Sequence, residues 1–64
     1  MRKVKIIKME GMFGGDETKE FEKFNLKIGD EIEVSPFTGN AVWYKPTEKS
    51  EVFFIYTWNI ENVE

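Results

Sequence analysis

The sequence predicts an all-β fold: a small antiparallel five-stranded barrel with a long first loop, in one domain spanning residues 1–64. Three observations predict it. Short runs alternate apolar with polar residues at a period of two, and each is bounded by Gly, Pro, Asn or Asp. Ten of the 64 residues are aromatic, a content that disordered chains lack. The chain has neither cysteine nor histidine, so no disulfide or thiolate–zinc staple substitutes for a core. Stability has to come from apolar packing. A 7.6 kDa chain folds to about 4,300 Å² of surface and buries roughly 60% of what it exposes when unfolded, which is little for a free-standing domain.

The elements follow in order. Residues 2–9 read as a strand, because Lys3 and Lys5 alternate with Val4 and Ile6. The adjacent pair Ile6–Ile7 breaks the pattern, and a bulge would account for it. Residues 10–25 are irregular. Gly14–Gly15 is a turn signal that favours a hairpin-like excursion, while Asp16 is also placed to cap a short helix with Phe21 and Phe24 on one side. Neither glycine belongs to a phosphate loop, since no Gly-Lys-Ser/Thr ending follows. In residues 26–35, Gly29–Asp30 is a turn, and Ile32 and Val34 then alternate with Glu31 and Glu33. Pro36 is expected to end that strand, and Thr38, Gly39 and Asn40 make the next turn. Residues 41–45 form a third strand, with Val42 and Tyr44 facing opposite to Trp43. Pro46 stops it, and residues 47–50 make a polar hairpin turn. Residues 51–58 form a fourth strand, with Val52, Phe54, Tyr56 and Trp58 on one face and Phe53, Ile55 and Thr57 on the other. Residues 59–64 are a short tail, one turn and a last edge strand.

The fourth strand is apolar on both faces, and so small a barrel encloses only one. Three arrangements cover the surplus: Met12, Phe13, Phe21 and Phe24 folding over as a lid; an exposed aromatic patch that binds a partner; or a homodimer interface.

Residues 22–34, EKFNLKIGDEIEV, resemble the turn region leading into the second strand of the Src-homology-3-like barrels. Phe24 and Leu26 take the apolar positions there, Gly29–Asp30 the turn, and Ile32 and Val34 the strand. Trp43–Tyr44 match a following aromatic pair, and the ending NIENVE is similar to that family's closing turn and last strand. The resemblance covers residues 22–64 and implies the barrel. It does not extend to Pro-rich peptide binding: the first strand reads KVKIIKME, Asn62 stands at the closing tyrosine, and Trp43 is the one groove residue that carries over. A second segment, LKIGDEIEVSPFTGNAVWYKP, is similar to the second half of AbrB-like swapped-hairpin proteins, which are dimeric transcription regulators and antitoxins. Their DNA-binding N-terminal pattern is missing here.

Charge narrows the function classes. The formal charge is −3, with Arg2, Lys3, Lys5 and Lys8 and no acid in the first eight residues, and −7 over the rest. Without histidine or cysteine, acid–base chemistry would fall to carboxylates or lysine. Glu31 and Glu33, two apart on a strand, read as a solvated face, and Ser35 and Ser50 have no evident base. The expectation is therefore a non-enzyme with no metal site and no cofactor. No calcium-loop pattern surrounds the acidic pairs Asp16–Glu17 and Glu20–Glu22. The longest apolar run, residues 52–56, is far short of the roughly 20 residues that span a bilayer, so no membrane segment is expected and the location expected is cytoplasmic.

The function expected is a small regulatory or inhibitory protein, of the kind phages and mobile elements encode, that occludes a larger protein. Trp43, Tyr44, Phe53, Tyr56 and Trp58 are the candidate anchors, because such rings combine area with a polar tip. Glu31, Glu33 and Glu51, with Glu48, are the candidate steering charges on an acidic face. The alternative is nucleic-acid binding through Arg2, Lys3, Lys5 and Lys8, with stacking on Trp43 or Tyr44. Those lysines serve equally well as guards of a strand edge.

Overall fold

The computed structural model describes residues 2–63. Five antiparallel strands, β1 (Arg2–Ile6), β2 (Glu31–Thr38), β3 (Ala41–Tyr44), β4 (Phe53–Tyr56) and β5 (Ile60–Asn62), form one sheet in the order β4-β3-β2-β1-β5. The sheet curls into the half-barrel of a Src-homology-3-like architecture. One short helix, α1 (Thr18–Lys23), lies in the long excursion between β1 and β2. No helix among the described residues is long and apolar enough to cross a membrane.

The inner face follows from the alternation. Val4 and Ile6 of β1, Ile32 and Val34 of β2, Val42 of β3, Phe53 and Ile55 of β4, and Ile60 of β5 meet in one core. Phe21 and Leu26 close it from the excursion, with Phe24, Met9 and Tyr44 packed against its margin. Phe53 holds the excursion in place: its ring is stacked on Phe24 at 4.7 Å and edge-on to Phe21 at 5.0 Å. Two of the four expected lid residues thus cover the core. Met12 and Phe13 do not. Phe13 is 99% exposed and sits at φ 67 in a short 3-10 turn over Met12–Gly14.

Both expectations for residues 10–25 are partly met. Glu10 bridges back to Asp16 across the glycine turn, and a helix follows. Asp16 does not cap that helix in the usual way; its carboxylate accepts the Thr18 amide at 3.0 Å and the Thr18 hydroxyl at 2.6 Å, both at the helix's first residue. The helix ends in a Schellman motif. Leu26 N–H donates to Phe21 O, Asn25 N–H donates to Glu22 O, and Asn25 sits at φ 59. The buried side chains of Leu26 and Phe21 belong to the same core, the apolar contact that accompanies this cap. The helix is too short to stand alone. Its cap and its packing on Phe53 hold it.

Several boundaries differ from expectation. The first strand stops at Ile6, where the amides of Ile7 and Lys8 both donate to Asn59 O, at 2.8 and 3.2 Å. Two residues facing one is the bulge that Ile6–Ile7 signalled. Pro36 does not end β2, which runs on to Thr38 with a register shift between Pro36 and Thr38. The described pairing with β1 reaches only Arg2↔Val34, so the proline lies past that ladder, where a missing N–H is tolerated. The fourth strand is Phe53–Tyr56 rather than residues 51–58, and Trp58 lies in a 3-10 turn over Thr57–Asn59. The last strand accordingly begins at Ile60. At Gly29 the turn requires φ +99, which glycine adopts without steric cost. There the Gly29 amide reaches Ile6 O at 2.8 Å.

Asn59 is the one polar side chain wholly inside among the described residues. Its Oδ1 accepts Glu10 N–H at 3.0 Å and its Nδ2 donates to Glu10 O at 2.8 Å. The carboxamide thereby acts as a strand partner for the start of the excursion, 49 residues away in sequence. Trp58 Nε1 donates to the same Glu10 carbonyl at 3.1 Å.

Candidate protein-binding surface

The outer face of the sheet divides into two halves. Antiparallel register sets Lys3 opposite Glu33 and Lys5 opposite Glu31 on one side and Glu61 on the other. Lys3 Nζ also lies 3.8 Å from Glu31. The β5–β1–β2 half is therefore a mixed ionic surface. Both partners of that pair are about half exposed, and such pairs are worth about 0–1 kcal/mol.

This corrects the acidic face. Glu31 and Glu33 line a groove of about 680 Å³ together with Arg2, Lys3, Tyr44 and Lys45. Three cations stand around the two carboxylates, so this part of the sheet is not a purely acidic face. Glu51 and Glu48 stand in or beside the β3–β4 turn, outside that groove. The same pairing bears on the basic strand: Lys3 and Lys5 face carboxylates, and Lys8 lies 3.5 Å from Glu10. Of the four basic residues, Arg2 alone has no carboxylate within 4.0 Å or directly opposite among the described residues.

The β2–β3–β4 half is aromatic. Trp43 is flanked in register by Ser35 and Phe54. Phe37 and Phe54 touch at 4.6 Å between ring centroids, yet remain 57% and 49% exposed. Val52 and Lys45 complete a shallow apolar depression with Phe37, Trp43 and Phe54. Large exposed rings in contact with one another form a patch of the kind that marks interaction sites.

The five expected anchors scatter. Trp43 lies in the patch, half-buried. Phe53 is not an anchor: it points inward and is 8% exposed, because its parity puts it with Ile55 in the core. Tyr44 shares that inner parity and packs edge-on to Phe24 at 6.5 Å. Tyr56 is half-buried and stacked on Trp58 at 4.5 Å and 5°. Trp58 is bound by its indole N–H to Glu10, so part of that ring fastens the fold. Phe37, Val52 and Phe54 also line the patch and are not among those five. Phe54 was legible from its face-sharing with Val52, and the polar turn at residues 47–50 sets it opposite Trp43. Phe37 was hidden by the expectation that Pro36 ended the strand.

A second groove, of about 540 Å³, lies where the excursion meets β4. Met12, Glu17, Glu20, Phe53, Phe54 and Tyr56 contribute to it. Lys23 Nζ lies 3.4 Å from Glu20, whereas Glu17 has no cation within 4.0 Å among the described residues. Among the described residues no three carboxylates converge as metal ligands would. Compared with known proteins, the chain matches no family model, no curated protein and no solved structure at a significant level.

Proposed function

We propose that this protein is a non-enzymatic binding module that captures a protein partner on the aromatic half of its outer sheet face, and that it regulates or inhibits that partner by covering it. The observation carrying this reading is the Phe37–Trp43–Phe54 patch, where two phenylalanine rings in contact stay about half exposed although the buried Phe53 and Ile55 flank Phe54 directly in β4. Leaving such rings about half in water forfeits about 1 kcal/mol per side chain, roughly half of what full burial of an exposed ring returns. A partner's surface supplies that burial, and rings of this size are the usual carriers of interface energy. The compensated charges around Lys3, Lys5 and Lys8 favour this reading over nucleic-acid binding, which draws on unpaired cations.

The test is selection of binders from a displayed random-peptide library by the immobilised protein. Wild type is expected to enrich binders. A Phe37→Ser, Phe54→Ser double variant is expected to lose at least about tenfold in affinity for them, a change of about 1.4 kcal/mol, while its thermal midpoint stays close to wild type. Trp43→Ala should act in the same direction. Binders indifferent to all three substitutions, or a library that yields none, would refute the proposal.

A further inference from the structure

We propose that the open edge of β4 takes a segment of the partner as a sixth strand, and that this segment alternates apolar with basic residues. The inference rests on the binding-module reading above and states how the partner docks.

Strand order leaves β4 and β5 at the two edges of the sheet. The two edges differ. β5 is three residues long and carries Glu61 and Asn62, which blunts it. β4 reads FFIY, with no charge, no proline and no bulge to protect its edge.

The phase of its hydrogen bonds is fixed by one contact. Thr57 N–H donates to Asn40 O at 2.8 Å, and alternation along an antiparallel ladder then turns the amides and carbonyls of Ile55 and Phe53 toward Val42 and Tyr44 of β3. Those of Phe54 and Tyr56 point away from the sheet. Among the described residues no other main-chain group meets them. Two N–H donors and two C=O acceptors are thus offered in strand geometry, beside the groove that β4 shares with the excursion. Extended peptides add to sheets through such groups, with alternate side chains giving specificity.

The side chains of an added strand fall on two faces. Outer ones would lie beside Phe54 and extend the aromatic row by one strand, so they are apolar. Inner ones would meet the α1 side, where Phe21 packs on Phe53 and where Glu17 and Glu20 line the groove. Glu17 has no cation within 4.0 Å among the described residues, so the inner positions are lysine or arginine. A second copy of this chain is the weaker occupant, because pairing β4 with β4 about a two-fold axis would bring two sets of Glu17 and Glu20 to one edge.

The probe is a blocked hexapeptide alternating valine and lysine, added to the intact isotopically labelled protein, with amide hydrogen exchange read residue by residue. Binding is expected to slow exchange at Phe54 and Tyr56 by at least about tenfold, and Glu17→Gln with Glu20→Gln is expected to weaken it by about tenfold. A matching valine–glutamate peptide should not bind. Four results would overturn the proposal: no binding of the valine–lysine peptide; binding that perturbs Trp43 and Phe37 without protecting the Phe54 and Tyr56 amides; equal binding of the glutamate peptide; or protection of those amides in the protein alone together with a doubled mass. In the first two cases, library binders that still depend on Phe37 and Phe54 leave the binding-module reading standing and remove only the edge.

Discussion

Replacing Asn59 with alanine is expected to destabilise the domain by about 3 kcal/mol. The side chain is fully buried and makes two hydrogen bonds with the main chain of Glu10, at 3.0 and 2.8 Å. Each is worth about 0.5–1.5 kcal/mol net, or about 2 kcal/mol for the pair. Alanine also leaves the half-buried Glu10 N–H without an acceptor, adding about 1 kcal/mol of desolvation. The Glu10 carbonyl is spared, because Trp58 Nε1 still donates to it at 3.1 Å. A domain of 64 residues has about 3–10 kcal/mol of total stability, so this is a large share of it. The midpoint should fall by about 12–24 °C, at about 4–8 °C per kcal/mol for so small a chain. Thermal and urea unfolding followed by far-ultraviolet circular dichroism would measure this, with hydrogen exchange at the Glu10 amide as the local reporter. Trp58→Phe removes only the second donor to that carbonyl and should cost about 0.5–1 kcal/mol. The double variant should lose more than the sum, since Glu10 O then has no donor. If Asn59→Ala stays within about 0.5 kcal/mol of wild type, a range typical of surface substitutions, the Asn59–Glu10 pair is not what anchors the excursion and this reasoning fails.

Three further outcomes separate core, cap and charge. Phe53→Ala should cost about 3–5 kcal/mol or unfold the domain outright, because Phe53 packs on both Phe21 and Phe24, whereas Phe54→Ala, one residue on, should change stability by less than about 1 kcal/mol; paired denaturation curves decide it. Asn25→Ala should cost about 1–2 kcal/mol because a Cβ without a local hydrogen bond is strained at φ 59, while Asn25→Gly should be nearly neutral by the same assay. The Asp16 carboxyl is held below its ordinary 3.8, chiefly by the hydrogen bonds it accepts from the Thr18 hydroxyl and amide. Because the folded-state value is the lower one, its contribution to stability is complete above the ordinary value and is lost as pH falls through the folded-state midpoint. A carboxyl titration by NMR should show that midpoint rising toward the ordinary value in Thr18→Ala, and no rise would refute the hydrogen-bond cause.

The sequence by itself determined what depends on neighbours in the chain. Period-two alternation selected the inner set Val4, Ile6, Ile32 and Val34, all of which are buried, because strand side chains must point to opposite faces whatever the strand pairs with. Turn chemistry at Gly29–Asp30, Gly39–Asn40 and residues 47–50 placed the hairpins for the same local reason. Only the tertiary structure decided the rest. Whether residues 18–23 coil or extend depends on Phe53, more than 25 positions away, offering its ring to Phe21 and Phe24. The worth of Glu31 and Glu33 as an acidic face depended on register, which set Lys3 and Lys5 directly across from them. The fourth strand has two apolar faces, so its alternation alone could not choose the buried one; closure of the sheet over the excursion took Phe53 inward and left Phe54 outside. Asn59 looked like part of a polar tail until the bulge at Ile7 and Lys8 brought Glu10 within reach of its amide. Long-range pairing carries no mark in a single strand's pattern, because the same alternating residues fit any partner until loops and register fix which strand lies beside which.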